Sequence, residues 1–245
     1  MKPVSKLHFI TTNTLTAEQA CKGGVNWVQL RLKNVNYEEY KKVALEVQEV
    51  CSRYNAVLII NDNVQLAADI GADGVHIGST DMTPTEARAL LGENFIIGCT
   101  ANTLEDVVRL SALPINYIGL GPFRYTATKQ NLSPVLGLEG YKNILNQLKT
   151  TGTNHPPIIG IGGIITHDVV SLMDTGIHGI AVSGAIGNAS DVSGKAADFI
   201  RIIENKDTVL TSSTSSTKNR AAVTDGVGEV VVGGIIEIIS AVSLD

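Results

Sequence analysis

The chain has 245 residues, of which 44% are hydrophobic and 18% charged, and its formal net charge is −5. This length and apolar content suffice for a full hydrophobic core, either of one α/β barrel or of two small domains. The chain contains no basic block and no basic face rich in aromatic residues, so the composition does not indicate a nucleic-acid or anionic-membrane partner.

The cysteines and the N-terminal residues indicate the compartment. Cys21, Cys51 and Cys99 are far apart and form no C-x-x-C pair, so we expect buried thiols rather than a disulfide framework or a zinc site. The first ten residues lack the apolar segment of a secretory signal, and no run approaches the roughly 18 apolar residues of a membrane helix. The sequence therefore predicts a reduced, cytoplasmic protein with no membrane partner.

Short apolar runs alternate with helical segments over the first 200 residues or so. The clearest helix is predicted at 37–54, where apolar residues recur at three- and four-residue steps. The apolar runs predicted as strands are 7–11, 25–30, 57–60, 74–77, 95–99, 116–120, 158–161 and 179–182. The segments predicted as helices are 16–22, 37–54, 64–70, 83–91, 104–110, 138–148, 168–173 and 191–203.

This alternation decides the fold class. The strands are continuous runs of Val, Ile and Leu, as expected of parallel strands covered on both faces. A doubly wound open sheet also alternates, but eight units in about 200 residues, with glycine-rich ends after strands seven and eight, favour closure. We therefore predict an α/β fold consisting of a single (β/α)8 TIM barrel with a C-terminal low-complexity extension.

The last part of the chain differs in composition. Eight of the ten residues in 208–217 are serine or threonine, so residues 207–245 are predicted to be a linker followed by a short apolar tail. The apolar segment 229–243 leaves three roles open: adding a strand to a partner, packing on the barrel, or none. The predicted domains are thus 1–206 and 207–245.

Polar residues follow the sixth predicted strand. Beyond Gly121-Pro122 the loop carries Thr126, Thr128 and Lys129 and no acidic residue among them. Hydroxyl groups, backbone N–H groups and a lysine suit a phosphorylated ligand. The loop is not a Walker A motif, which needs a glycine directly before the lysine. Taken alone, it is equally well explained as an ordinary surface loop.

A row of polar side chains also leaves the second strand. Gln29, Arg31 and Lys33 alternate with Leu30 and Leu32, and period-two spacing points the three polar residues to one side. Active sites of (β/α)8 barrels lie at the carboxyl ends of the strands. Because a closed barrel has no exposed edge to accommodate such a row, we predict that it meets an anion.

Carboxylates follow the next two strands. Asn61 and Asp62 end strand three, and Asp81 lies just beyond strand four. Neighbouring strands lie about 4.8 Å apart, so the two carboxylates can share one hard cation, with water and phosphate completing a Mg²⁺ sphere. The alternative is that Asp62 caps the helix at Val64 and Asp81 the helix at Pro84.

Glycine-rich turns end strands seven and eight, at 160–164 and 182–184, where barrels commonly hold a phosphate by backbone N–H groups. Tight turns alone are the alternative explanation. On strand five, Thr100 either donates its hydroxyl to a phosphate or caps the next helix. His76, within strand four, is predicted to be a hydrogen-bonded core histidine. No Ser/His/Asp or Cys/His arrangement indicates nucleophilic catalysis. The pocket is predicted to hold two phosphorylated substrates, one with a diphosphate leaving group on magnesium.

Six motifs occur in one order: Gln29-x-Arg31-x-Lys33, Asn61-Asp62, Gly74 to Gly78 with Asp81, Gly121-Pro122 through Lys129, Gly162-Gly163-Ile164 and Val182-Ser183. In this combination the chain resembles the thiamine-phosphate synthase family, which is related to the thiazole tautomerase barrels. The resemblance covers residues 7–203 and leaves the tail outside.

The resemblance implies an enzyme that joins hydroxymethylpyrimidine diphosphate to a thiazole phosphate, or its carboxylate, and releases pyrophosphate. The pyrimidine diphosphate ionises first to a pyrimidine-methyl cation, which the thiazole nitrogen captures. The residues implied to hold the pyrimidine diphosphate are Gln29, Arg31, Lys33, Asn61 and Lys129, with Asp62 and Asp81 holding Mg²⁺. Those implied to hold the thiazole phosphate are Thr126, Thr128, Gly163, Val182 and Ser183. Arg31, Lys33 and Lys129 would stabilise the leaving group, and Thr100 would keep the role of the family's serine.

Besides Thr100, the chain departs from the family pattern at three places. Ser79 replaces the usual glutamine, and Asn102 replaces a histidine. The segment 123–125 reads Phe-Arg-Tyr, which leaves the effect of the additional charge of Arg124 open. Two other functions are considered: a thiazole phosphate tautomerase and a non-catalytic phosphate-ligand binding protein. The chain is also compatible with a homo-oligomer.

Overall fold

The structure, a computed structural model, describes residues 2–125 and 134–218, with side chains described as far as residue 205. The strands are β1 (Leu7–Thr11), β2 (Trp27–Leu30), β3 (Val57–Asn61), β4 (Gly74–Ile77), β5 (Ile96–Ala101), β6 (Tyr117–Leu120), β7 (Ile158–Ile161) and β8 (Gly179–Val182). The helices are α1 (Thr14–Lys22), α2 (Tyr37–Arg53), α3 (Val64–Ile70), α4 (Pro84–Leu91), α5 (Leu104–Ser111), α6 (Gly137–Thr151), α7 (Val169–Asp174), α8 (Gly184–Gly187) and α9 (Val192–Lys218). A 3₁₀ turn, Thr166–Asp168, precedes α7.

The strands form a closed parallel barrel in sequential order, β1 to β8. Closure is direct, because β1 pairs with β8 in the register Leu7 to Ile180. The predicted (β/α)8 barrel is therefore confirmed. All strand carboxyl ends, and the polar residues that follow them, lie at one end of the barrel.

Two apolar clusters explain the continuous hydrophobic strands. One fills the barrel interior and includes Trp27, Ile59 and Tyr117. The other lies between the strands and the helices and includes their chain neighbours Val28 and Leu58. Since successive strand residues point to opposite faces and both faces are covered, every strand position is apolar or hydrogen-bonded.

Element ends differ from the predicted ones by a few residues. Helix α1 begins at Thr14 because the Asn13 side chain accepts a hydrogen bond from the Thr16 N–H and caps it. Strand β5 continues to Ala101, and the four-residue helix α8 was not predicted. Cys21, Cys51 and Cys99 are free and buried, as predicted.

The helix α9 extends beyond its predicted end. It was predicted to stop near 203, but it continues through the Ser/Thr-rich stretch 208–217 that was predicted to be a linker. Once a helix is nucleated, adding serine or threonine costs only a few tenths of a kcal/mol each, which is the physical reason for the difference. The chain divides into two compact units between Asp207 and Thr208. Within the described ranges, no helix is long and apolar enough to cross a membrane.

A buried arginine joins the amino ends of β5 and β6. Arg88 of α4 is only 9% exposed. Its guanidinium donates to the carbonyl oxygens of Gly92, Phe95 and Pro114 at 2.7–3.3 Å and to Asn116 Oδ1 at 2.8 Å. Nothing in the local sequence pattern of α4 marks this arginine as buried, so the sequence alone does not predict its role.

Candidate active site

The polar side chains of β2 and β3 meet inside the barrel mouth. Gln29 Nε2 donates to Asn61 Oδ1 at 2.8 Å, and both residues are buried. The Arg31 N–H donates to the Thr11 carbonyl at 2.9 Å, which continues the strand pairing one residue beyond β2. The strand pairing thus continues to Arg31, and the period-two spacing predicts that its side chain lies on the same side as that of Gln29.

Two carboxylates lie together beside a lysine. Lys33 Nζ donates to Asp62 Oδ2, and the Asp62 carboxylate lies close enough to Asp81 to influence its protonation. Asp81 Oδ2 also accepts from the Gly78 N–H at 2.7 Å. Burial raises the pKa of the Asp81 carboxyl; the Gly78 N–H opposes this rise, and the Asp62 carboxylate adds to it. Strand ends β3 and β4 thus place two acids next to a cation.

Neither aspartate caps a helix. Asn63 caps α3 by accepting from the Leu66 N–H, and Thr83 caps α4 in a capping box with Glu86. The alternative explanation of Asp62 and Asp81 as caps is therefore wrong. Asp62 has a φ of 65°, in the left-handed region that aspartate tolerates better than most residues.

The donor set suits a hard cation. Among the side chains that the structure describes, no group of three or more His, Cys, Asp and Glu could hold a metal. Two carboxylates match Mg²⁺, which usually keeps several waters and takes the remaining oxygens from a substrate phosphate. A cavity of about 400 Å³ has Asn61, Asp62 and Met82 in its wall. The residues thus fit the magnesium expected from the sequence.

A buried histidine links the barrel core to Thr100. His76 Nδ1 and Nε2 lie 3.0 Å from Tyr117 Oη and Thr100 Oγ1, respectively, so the prediction of a hydrogen-bonded core histidine is confirmed. Burial raises the pKa of Tyr117, so its hydroxyl stays protonated. The tautomer of His76 decides which group donates in each of the two hydrogen bonds. Thr103, rather than Thr100, caps α5.

The glycine turn after β7 contacts the loop after β6. Gly162 and Gly163 have φ angles of 106° and 66°. A Cβ on Gly162 would lie 2.8 Å from the Pro122 Cα, so only glycine permits this approach. After β8, Val182 is buried and Ser183 precedes α8. Asn102, which follows β5 and replaces the family histidine, donates to the Gly121 carbonyl in the loop after β6.

Arg124 forms an ion pair that the sequence analysis did not predict. Its guanidinium binds Asp168 through two hydrogen bonds of 2.9 Å each, so its additional charge is neutralised. The one signal in the sequence was an acidic residue, Asp168, a few residues beyond the glycine turn. An acid at such a position is too common to predict an ion pair with Arg124. Thr126, Thr128 and Lys129, which the sequence assigned to substrate binding, lie outside the described residues.

The Arg124–Asp168 pair predicts a pH-dependent stability. Burial opposes ionisation of Asp168, but Arg124 and the Ile165 N–H outweigh it and lower the pKa of this carboxyl. A lowered folded-state pKa adds stability above the unfolded value of about 3.9, and this stability is lost as the pH falls through the folded pKa. In thermal unfolding, Asp168→Asn should lower the midpoint at about pH 7, and the difference from the unaltered protein should shrink as the pH falls from about 4 towards about 2. A difference that stays the same over this pH range would contradict the ionic role.

The fold and this site define the class of protein. A closed (β/α)8 barrel carries cations, amides and paired carboxylates at the carboxyl ends of its strands, where enzymes of this fold place their active sites. The chain thus has the architecture of a barrel enzyme, with its charged and amide side chains at the end of the barrel where such enzymes bind substrate.

Comparisons with known proteins identify the family. The family profile described as thiamine monophosphate synthase matches residues 4–186. A thiamine-phosphate synthase of Bacteroides fragilis is 49% identical over 191 residues, covering 76% of this chain and 93% of the relative. That of Bacteroides thetaiotaomicron is 46% identical and covers 82% and 97%. The solved thiamine phosphate pyrophosphorylase of Pyrococcus furiosus aligns with a TM-score of 0.73 at 28% identity, covering 82% of this chain and 96% of that one.

The chain belongs to the thiamine monophosphate synthase family. The resemblance found in its motifs is confirmed, and it covers nearly the whole length of these relatives. The 59 residues after 186 lie beyond the part of the chain that the family profile matches.

Proposed function

We propose that the protein is a thiamine-phosphate synthase. It would condense 4-amino-2-methyl-5-(diphosphooxymethyl)pyrimidine with 4-methyl-5-(2-phosphoethyl)thiazole, or its carboxylate, to give thiamine phosphate and pyrophosphate. The names of its relatives support this activity. The observation that carries it to this chain is the Asp62–Asp81 pair beside Lys33 at the barrel mouth.

The diphosphate would bind at the ends of β2 and β3. Arg31, Lys33 and Lys129 supply positive charge to the leaving group, and the Gln29–Asn61 pair presents buried amides to the polar edge of the pyrimidine. Asp62 and Asp81 would hold Mg²⁺, which neutralises charge on the diphosphate when bound. In this structure Lys33 pairs with Asp62, so the lysine must exchange this carboxylate for a phosphate oxygen when the substrate binds.

The reaction needs no nucleophile from the protein. The pyrimidine CH₂–O bond breaks with its electron pair moving to pyrophosphate, and the thiazole nitrogen lone pair forms the new C–N bond. The cations act by stabilising the charge that grows on the leaving group. Gly163, Val182 and Ser183 would hold the thiazole phosphate together with Thr126 and Thr128, and the Thr100 hydroxyl would donate to a substrate atom.

Two alternatives make different predictions. A thiazole phosphate tautomerase would not need the diphosphate set, which this chain has in full: Gln29, Arg31, Lys33, Asp62, Asp81 and Lys129. A non-catalytic binding protein would take up the substrates without turnover. The cytoplasmic location and the homo-oligomer stay predictions.

The test is product formation from both substrates, first with Mg²⁺ and then with excess chelator. We expect thiamine phosphate and pyrophosphate in equal amounts, lost on chelation and restored by added Mg²⁺. Folded protein that yields neither product would contradict the synthase. Conversion of the thiazole carboxylate alone would then favour the tautomerase, and binding without turnover would favour the binding protein.

Truncation tests the proposed division at 206. Ending the chain after Lys206 should leave kcat/KM within about twofold, because the site residues and the family match all precede this point. The matched control ends the chain at residue 190 and removes Phe199 and Ile203, which are buried in the core. The control should lower the unfolding midpoint. If the chain that ends after Lys206 is inactive, the tail belongs to the active unit.

A further inference from the structure

The loops after β6 and β7 are joined by one side chain, Arg124. Its Nη1 and Nη2 donate to both carboxylate oxygens of Asp168 at 2.9 Å, and Nη1 also donates to the Gly163 carbonyl. The guanidinium also lies 4.9 Å from the centre of the Phe123 ring. One arginine therefore contacts the 3₁₀ turn before α7 and the glycine turn after β7.

The acid partner is fixed in place. The Asp168 side chain is only 8% exposed, and its Oδ2 accepts a further hydrogen bond from the Ile165 N–H at 2.9 Å. A bidentate pair with a buried, doubly held carboxylate restricts the arginine far more than an exposed ion pair does. The guanidinium is thus committed to the protein and is not a free charge for a substrate anion.

Backbone hydrogen bonds bring the same two loops together. The Phe123 N–H donates to the Ile161 carbonyl at 2.8 Å, and the Arg124 N–H donates to the Gly162 carbonyl at 2.9 Å. The next carbonyl, that of Gly163, accepts one described hydrogen bond, and the Arg124 side chain donates it. Because a peptide group is planar, fixing this carbonyl also fixes the direction of the Ile164 N–H.

We propose that the Arg124–Asp168 pair positions the glycine turn after β7 for binding the thiazole phosphate. This inference rests on the proposed function, because that function assigns the phosphate to Gly163. Glycine residues with positive φ have wide conformational freedom, so a phosphate cradle made from them needs an external constraint. Arg124 is in this sense a positioning residue and does not touch the reacting atoms.

The test separates the KM values of the two substrates. Arg124→Met should raise KM for the thiazole phosphate about tenfold and leave KM for the pyrimidine diphosphate within about twofold, since the diphosphate binds near β2 to β4. Arg124→Lys, which keeps the charge but loses the fork, should recover only part of the affinity. Asp168→Asn should match Arg124→Met.

The matched control is Arg109→Met. It breaks an exposed ion pair of the same length, 2.9 Å to Asp106, on α5, and both KM values should stay unchanged. Calorimetric titration with the thiazole phosphate measures the same loss without turnover. An active protein whose Arg124→Met variant keeps its thiazole phosphate KM, or loses affinity for both substrates equally, would overturn the inference alone. Failure of the unaltered protein to bind or turn over substrate would overturn the proposed function and, with it, this inference.

Discussion

Replacing Asp81 with asparagine is expected to lower kcat by roughly 10²- to 10³-fold while the protein stays folded. Asparagine keeps the size of the side chain and can still accept from the Gly78 N–H through its carbonyl oxygen. It removes the negative charge that, together with that of Asp62, is proposed to hold Mg²⁺. Burial raises the pKa of the Asp81 carboxyl, which means that it disfavours the charged form. Removing the charge should therefore not destabilise the barrel.

The measurement compares kcat over a range of Mg²⁺ concentrations. The Asp81→Asn variant should need more Mg²⁺ for half-maximal rate, whereas a variant damaged only in its fold would lose rate at every concentration. Asp69→Asn is the matched control. Asp69 is an exposed aspartate of α3 that accepts hydrogen bonds from Tyr37 of α2 and Gln65 of α3.

Lys129→Ala should also lower kcat sharply, because the assigned role of this lysine is to stabilise the leaving group. Normal rates in both Asp81→Asn and Lys129→Ala would refute the site assignment.

Replacing Arg88 with methionine is expected to lower the free energy of unfolding by about 3 kcal/mol, with little change in kcat. Methionine fills much of the volume of the arginine stem but cannot donate to the Gly92, Phe95 and Pro114 carbonyls or to Asn116. Part-buried acceptors left without a charged donor account for the cost. Activity should persist because these contacts lie at the amino ends of β5 and β6, the end of the barrel associated with stability.

Chemical unfolding and the thermal midpoint together measure this effect. A loss of about 3 kcal/mol corresponds to a midpoint roughly 6–12 °C lower in a chain of this size. The control is Arg53→Met, which removes an exposed ion pair with Glu18 and should change the midpoint by a degree or two at most. If Arg88→Met unfolds at the same temperature as the unaltered protein, the guanidinium does not hold these strand ends.

The expected phenotypes of Asp81 and Arg88 differ because the two residues lie at opposite ends of the barrel. Local sequence made one of them conspicuous: Asp81 follows a short apolar strand closed by Gly78, and a family motif surrounds it. Arg88 lies within an amphipathic helix, where an arginine is ordinarily solvent-exposed. Its burial depends on the loops before β5 and β6, whose positions are set by the barrel and not by α4.

Within the site, Thr100 and Arg124 show the same contrast between what the local sequence indicates and what the tertiary structure decides. Sequence placed Thr100 at a strand end but left open whether it caps the next helix, and only the structure assigned that cap to Thr103. The charge of Arg124 was left open because its partner, Asp168, is 44 residues away along the chain. Local patterns are informative about neighbours within a few residues, and pairings at this separation depend on the packing of whole elements.

The sequence by itself determined the eightfold alternation of strands and helices, the polar residues at the strand carboxyl ends and, through its motifs, the family. It could do so because apolar periodicity and strand-end position are local properties that survive in any closed barrel. Only the tertiary structure decided that Asp62 and Asp81 share a site with Lys33, that His76 holds Thr100, and that Arg124 binds Asp168. These contacts join residues from different βα units, and their distances are fixed only when the barrel closes.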